Sequence, residues 1–278
     1  MSYINLRGHQ IWSVQYKPRF KILNKTNEKV LLLHGGLSST EDWDYTILPA
    51  IKRTHHVYGY DRSAHGRTKV REGYYHFEFQ RDEAIAYLED VVKEPAHLIG
   101  WSDGGIIALY IAIARPDLVK SIIVIGANYH HDCGTFHDPE TIEIKDEDLK
   151  EFIDRTGQEP KLLEEIVRKA YQVWSTEPRL THDDLCKIQS PALILAGDDE
   201  PFTSEHTFSL YEAIENARLA IVPGTSHFVV KEKPELVQAI IKDFYKNLDF
   251  PMTKWPNRRK ERTEGIRSGQ QEFSPDIP

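Results

Sequence analysis

The chain has 278 residues, and 43 acidic against 35 basic side chains leave it a net charge of −8 at neutral pH. With 40% hydrophobic and 28% charged residues it carries the apolar material for one large domain core and is not a disordered chain. Its acidity argues against nucleic acid as a partner, because a phosphate backbone needs a basic face. The one dense basic run, Arg258-Arg259-Lys260, lies near the C-terminus.

Tyr3–Leu6 and Gln10–Tyr16 flank Arg7-Gly8-His9 and predict a β-hairpin. Val30-Leu31-Leu32-Leu33 is a continuous apolar run, the pattern of a strand buried on both faces in a parallel sheet, and it ends in His34-Gly35-Gly36. His56–Tyr60 predicts a strand with Asp61 at its end, and residues 79–92 have helical periodicity. Ala96–Gly100 predicts a short strand, and Gly104–Ala114, apolar on nearly every face, a buried helix closed by Arg115-Pro116. Ser121–Gly126, Ala192–Ala196 and Leu219–Val222 are further strand runs, and Pro234–Leu248 is an amphipathic helix. Strands that alternate with helices mean a mainly parallel sheet with right-handed crossovers.

One segment interrupts the alternation. Between Ala127 and Ser190 there is no strand run, while Leu149–Ile153 and Leu162–Trp174 read as helices. The expected organisation is therefore a core of residues 1–127 and 191–248, a helical cap over 128–190 and a polar tail over 249–278, in which Trp255 and Phe273 could dock on the body or on a partner. Residues 138–165 hold eleven acidic and four basic side chains, either a solvated helix surface or an acidic lid that attracts cationic substrates.

Two cysteines, Cys133 and Cys186, cannot build a disulfide framework, so a cytoplasmic setting is expected. The longest apolar stretch, Gly104–Ala114, is far short of the roughly 20 residues of a membrane span. The N-terminal sequence MSYINLRGHQIWSVQY alternates polar and apolar residues and does not read as a signal peptide.

The chemistry concentrates at Gly100-Trp101-Ser102-Asp103-Gly104. This G-x-S-x-G follows a predicted strand and opens a predicted helix, the context in which a sharp turn lifts a serine hydroxyl above the sheet. Ser102 is thus a candidate nucleophile. It needs a base, and His227, just past the last strand run in Gly224-Thr225-Ser226-His227-Phe228, is best placed of thirteen histidines. The base needs an orienting carboxylate, and Asp198, Asp199 and Glu200 all follow the ALILA strand. An oxyanion hole would use the backbone N–H of Asp103 and that of Gly36 or Leu37. Trp101 and Leu37, beside the serine and the glycine-rich turn, are expected to touch substrate. His34 is expected to organise its loop. A metal reading of His130, His131, Asp132, Cys133, His137 and Asp138 fits no zinc spacing, so no metal is expected there, and no phosphate loop or dinucleotide fingerprint implies a cofactor.

From about residue 25 to 246, through LLLHGG, YDRSAHGRT, LIGWSDGG, PALILAGDDEPF and VPGTSHF, the chain resembles the α/β-hydrolase superfamily, and GWSDGG with IGAN looks most like its biphenyl-hydrolase-like (valacyclovir hydrolase) group. The resemblance implies an α/β-hydrolase fold of about eight strands with a small helical cap, working without cofactor. It implies Ser102 as nucleophile, His227 as base and, at the position where the family usually has Asp, Glu200 as the acid, with Asp198 and Asp199 as substitutes. In that group an Asp directly after the serine helps to bind the ammonium of amino-acid esters, which implies such a role for Asp103; a dipole-stabilising Asp at a helix start is the plainer alternative. The expected activity is hydrolysis of small carboxylic esters through an acyl-enzyme. The alternatives are a carbon–carbon bond hydrolase of ring-cleavage dienoates and a catalytically silent receptor or scaffold.

Overall fold

The structure is a computed structural model that describes residues 1–18, 28–73, 75–134 and 144–248. The basic run, Trp255, Phe273, His137 and Asp138 lie outside the described residues. The hairpin of β1 (Ser2–Leu6) and β2 (His9–Tyr16) pairs Ile4 with Ile11 and turns through Arg7 and Gly8, both at positive φ (49° and 94°). Two consecutive positive φ values match the right-handed twist of the flanking strands.

Six more strands complete the sheet: β3 (Lys29–Leu33), β4 (His56–Tyr60), β5 (Ala96–Trp101), β6 (Val119–Ile125), β7 (Ala192–Asp199) and β8 (Ala217–Ser226). Their spatial order is β1-β2-β4-β3-β5-β6-β7-β8, and all pairs beyond β2–β4 are parallel. The chain leaves β3 toward β4 on one side and β5 toward β6 on the other. Open α/β sheets form their ligand crevice at such a reversal, outside the carboxyl ends of the strands.

The apolar runs have the composition they do because both faces of the sheet are covered. Leu31 and Leu33 of β3, Leu98 of β5 and Ile122 and Val124 of β6 join one buried cluster, and the alternate residues Val30, Leu32, Ile99, Ile123 and Ile125 join another. Helices α1 (Leu48–Ile51) and α9 (Pro234–Lys246) pack Leu48, Ile51, Val237, Ile241 and Phe244 on the second face. Helices α2 (Phe77–Tyr87) and α3 (Asp103–Ala114) cover the first. The helix expected over 79–92 is α2 followed by one wider turn through Leu88–Val92, closed by the Lys93 N–H donating to the Leu88 carbonyl at 2.7 Å. As the composition requires, α3 is buried all round from Asp103 to Leu109.

Between β6 and β7 lie α4 (Asp146–Thr156), α5 (Pro160–Trp174) and α6 (His182–Leu185). Phe152 of α4 and Ile166 of α5 enclose a third, small apolar cluster against Ala64. Helices α7 (Ser204–Ala213) and α8 (Val229–Glu232), which the apolar pattern does not announce, follow β7 and β8. Both thiols are free, Cys133 buried and Cys186 exposed, and no described helix is long and apolar enough to cross a membrane.

Candidate active site

The turn from β5 into α3 holds Ser102 at φ 54° and ψ −122°. A non-glycine residue there stores about 1–3 kcal/mol of strain and persists only where its surroundings enforce it. Close packing does so here: a Cβ on Gly104 would fall on the Leu33 carbonyl, so β3 and the start of α3 approach to a distance only glycine permits. Two loops from other strand ends then reach the serine. The Ser102 Oγ lies 2.9 Å from His227 Nε2, and His227 Nδ1 lies 2.7 Å from Glu200 Oε2. Glu200 Oε1 accepts the Gly197 N–H at 3.0 Å, which turns the carboxylate back over the end of β7. The Glu200 side chain is 4% exposed and that of His227 is 25% exposed, so the acid is enclosed while the imidazole faces the cavity.

The structure also separates the three neighbouring carboxylates. Asp198 Oδ1 accepts the Thr225 N–H at 3.0 Å, and backbone N–H donors from Gly224 and Thr225 hold its pKa below the ordinary carboxylate value. It ties β7 to the loop of β8 instead of meeting the imidazole. Asp199 is exposed. Glu200 alone of the three is bonded to His227.

The loop after β3 runs past the serine, since a Cβ on Gly35 would be 3.5 Å from the Ser102 Cβ. A Cβ on Gly36 would strike Trp174 and come within 2.6 Å of Asp103 Oδ2, so a side chain there would displace both. Leu37 follows at φ 54° and is partly exposed to the cavity. The Asp103 N–H begins α3, and the first N–H groups of a helix have no acceptor within it. His34 donates from Nδ1 to the Gly35 carbonyl at 2.8 Å and accepts the Arg62 N–H on Nε2 at 3.1 Å.

Arg62 is the residue that sequence reasoning missed. Wholly buried, it donates from Nη1 to the His34 carbonyl, from Nη2 to the Gly35 carbonyl at 3.0 Å and from Nε to Gln80 at 2.8 Å. One planar guanidinium thus fixes two successive carbonyls of the loop, and their N–H groups with them. Its Nη2 also lies 4.0 Å from Asp103 Oδ2. The Asp103 carboxyl is raised above its ordinary pKa by burial, an effect opposed by Arg62, by a hydrogen bond from Trp174 and by the charge of His227. Trp101 lines the cavity while its indole N–H is committed to the His227 carbonyl at 3.0 Å.

Ser102 opens into a cavity of about 880 Å³ under α4 and α5. Among the described residues its lining contains eight carboxylates and one lysine, Lys231. Several are already paired: Asp42 with Lys231 at 2.9 Å, Glu41 with Arg67 at 2.6 Å and Glu177 with His76 at 2.6 Å. Asp148 and Glu151 bring the acidity of α4 to the wall.

Comparison with known proteins agrees with this architecture. The sequence pattern described as the alpha/beta hydrolase family matches residues 30–240. An (E)-2-((N-methylformamido)methylene)succinate hydrolase from Acinetobacter baylyi is 24% identical over 236 residues, 76% of this chain and 87% of the relative. The serine hydrolase BPHL of Homo sapiens is 25% identical over 214 residues, 71% of this chain and 72% of that protein. Among solved structures, an enol-lactonase from Burkholderia xenovorans aligns with TM-score 0.69 and 17% identity over 88% of this chain and 100% of its own, and a meta-cleavage product hydrolase from Pseudomonas fluorescens with TM-score 0.70 and 19% identity over 90% and 98%. With the family pattern spanning most of the chain, and the fold shared with these enzymes, the protein belongs to the α/β hydrolase family and is a hydrolase.

Proposed function

We propose that the protein is a serine hydrolase of small carboxylic esters, acting through an acyl-enzyme. The observation that carries the reading is the continuous contact Ser102 Oγ–His227 Nε2–His227 Nδ1–Glu200 Oε2, at 2.9 Å and 2.7 Å. In this reading Ser102 Oγ attacks the ester carbonyl as His227 Nε2 takes its proton. Glu200 accepts the Nδ1–H, which selects the tautomer that leaves Nε2 basic and then stabilises the imidazolium. The tetrahedral oxyanion forms beside the Asp103 N–H and that of Gly36 or Leu37; one such donor is worth roughly 10²–10³ in rate. Collapse expels the alkoxide, which takes the proton from His227. Water, deprotonated by the same imidazole, then resolves the acyl-enzyme and regenerates Ser102. Arg62 is a positioning residue in this scheme, because it holds the loop carbonyls and not the substrate.

The acid-rich lining supports a finer reading, that the preferred esters carry a positive charge such as an ammonium group. Asp103 contributes less than its position suggests, because Arg62 sits 4.0 Å behind it; the carboxylates of the α4 wall and of Asp103 act together. The same lining disfavours ring-cleavage dienoates, which are anionic and call for a basic pocket. The test is a panel of p-nitrophenyl and α-amino esters with their N-acetylated analogues, run on wild type and Ser102→Ala. Turnover by wild type only, with a higher kcat/KM for the free amine, is the expected result. Dienone turnover with no ester turnover would overturn the ester reading, and equal kcat/KM for amine and N-acetyl esters would overturn the charge preference alone.

A further inference from the structure

The opposite end of the central strands, away from the cavity, carries a second cluster of titratable groups. Glu28 precedes β3, His55 precedes β4, and His97 is the second residue of β5, so all three lie at amino-terminal strand ends. His97 and Ser102 are five residues apart, about 16 Å at a strand rise of ~3.3 Å. The cluster is therefore separate from the cavity chemistry. One donor atom from each of Glu28, His55 and His97 lies within 4.8 Å of the others.

We propose that Glu28, His55 and His97 form a binding site for a divalent transition-metal ion of the zinc class. Two imidazoles and a carboxylate suit such an ion and not magnesium or calcium, which prefer all-oxygen sites. The Glu28 Oε2 to His97 Nε2 distance is 3.3 Å. Ligands ~2.1 Å from a tetrahedral ion stand about 3.4 Å apart, so this pair already has the required spacing. The third ligand closes by a side-chain shift of about 1 Å or somewhat more, given the same ligand-to-ion distances.

The surrounding groups supply the outer contacts that metal-binding imidazoles need. Thr54 Oγ1 lies 3.2 Å from the Ile51 carbonyl and 2.9 Å from His55 Nδ1. With the hydroxyl proton on the carbonyl, Nδ1–H donates to Thr54 and the His55 lone pair is on Nε2, the tautomer that ligation through Nε2 requires. Ser121 Oγ lies 2.8 Å from His97 Nδ1. Without an ion, His97 Nε2–H points to Glu28 and Ser121 donates to Nδ1. With one bound, the proton moves to Nδ1 and Ser121 accepts. The other Glu28 oxygen accepts from Lys120 Nζ at 2.9 Å, which aims Oε2 at the histidines. The Tyr245 ring roofs the site, with its centroid 4.9 Å from His55 and 5.2 Å from His97. Sequence spacing hides the cluster, since its members come from three separate segments and match no local ligand motif. A bound ion would tie together the approaches to β3, β4 and β5.

The full-length protein, stripped with EDTA, is titrated with Co²⁺ and followed by visible absorption, and with Zn²⁺ by calorimetry and thermal unfolding. One equivalent, ligand-field bands of a four-coordinate ion and a raised Tm are expected for wild type and for His227→Gln and the double variant His130→Gln/His131→Gln. His55→Gln and Glu28→Gln, which lie outside the apolar core clusters, are expected to lose the bands and the Tm rise; His97→Gln is read only if it folds. Failure of wild type to bind, or bands that survive His55→Gln and Glu28→Gln, would overturn the site. An adventitious ion would instead be lost in the His130/His131 or His227 variants, which also overturns it. None of these readings depends on ester turnover.

Discussion

At residue scale, Ser102 and His227 are legible in the sequence because each sits directly after a strand run in a short, recognisable turn. Glu200 is not separable there from Asp198 and Asp199. What separates them is geometry at the end of β7, where Asp198 is turned to the Thr225 N–H and Glu200 is folded back on the Gly197 N–H toward the imidazole. Substitution therefore distinguishes them. Glu200→Gln is expected to lower kcat by about 10²–10⁴, as loss of the tautomer-setting acid does, whereas Asp198→Asn changes kcat little; ester kinetics on both variants check this, and equal losses would refute the assignment. Arg62 was not legible because an arginine is read as surface by default. Only the folded chain reveals that it has no exposure and three carbonyl acceptors.

At the scale of elements, β3, β5 and β6 were legible because burial on both faces leaves an unbroken apolar run. The same burial on every side identifies α3. Helix α7 was not legible, since it buries His206 and Thr207 beside Leu210 and Ala213, so no apolar stripe marks it. Its one local signal is Thr203, whose side chain accepts the His206 N–H at 3.2 Å as an N-cap. The burial of His206 has a measurable consequence. Its Nε2 accepts the Tyr129 N–H at 3.0 Å, and burial, followed by the nearby His130 charge, pushes its pKa down to about 4. The folded state then binds fewer protons than the unfolded chain between that value and the ordinary 6.5. Stability from this group is complete above pH 6.5 and is lost as pH falls toward 4, on the order of 3 kcal/mol in all. Urea unfolding between pH 7 and 4 checks it: His206→Gln is expected to flatten the decline, and an unchanged slope would contradict it. The turn from β5 to α3 gives a second prediction at this scale. Gly104→Ala forces a Cβ onto the Leu33 carbonyl and is expected to destabilise the fold by about 1–3 kcal/mol or more, the overpacking range; a Tm equal to wild type would show that β3 and α3 are not held as described.

At the scale of the whole molecule, the net charge of −8 and the carboxylates around the cavity act in the same direction. A field of that sign concentrates cations at the mouth and is weakened by salt, with a Debye length of about 10 Å at 0.1 M. Raising ionic strength is expected to lower kcat/KM for a cationic ester several-fold and to leave a neutral ester nearly unaffected; parallel curves for the two would remove electrostatic attraction from the account. That preference was only half legible, because an excess of acidic residues over 138–165 reads equally well as a solvated helix face until α4 is seen at the cavity wall. Ester hydrolysis by this protein requires that His227 activate Ser102. The most direct measurement is labelling of the folded protein with a fluorophosphonate, located by peptide mapping. One adduct per chain on Ser102, abolished in Ser102→Ala and greatly slowed in His227→Gln, is the predicted result; no adduct on folded wild type, or labelling at an undiminished rate in His227→Gln, would contradict it.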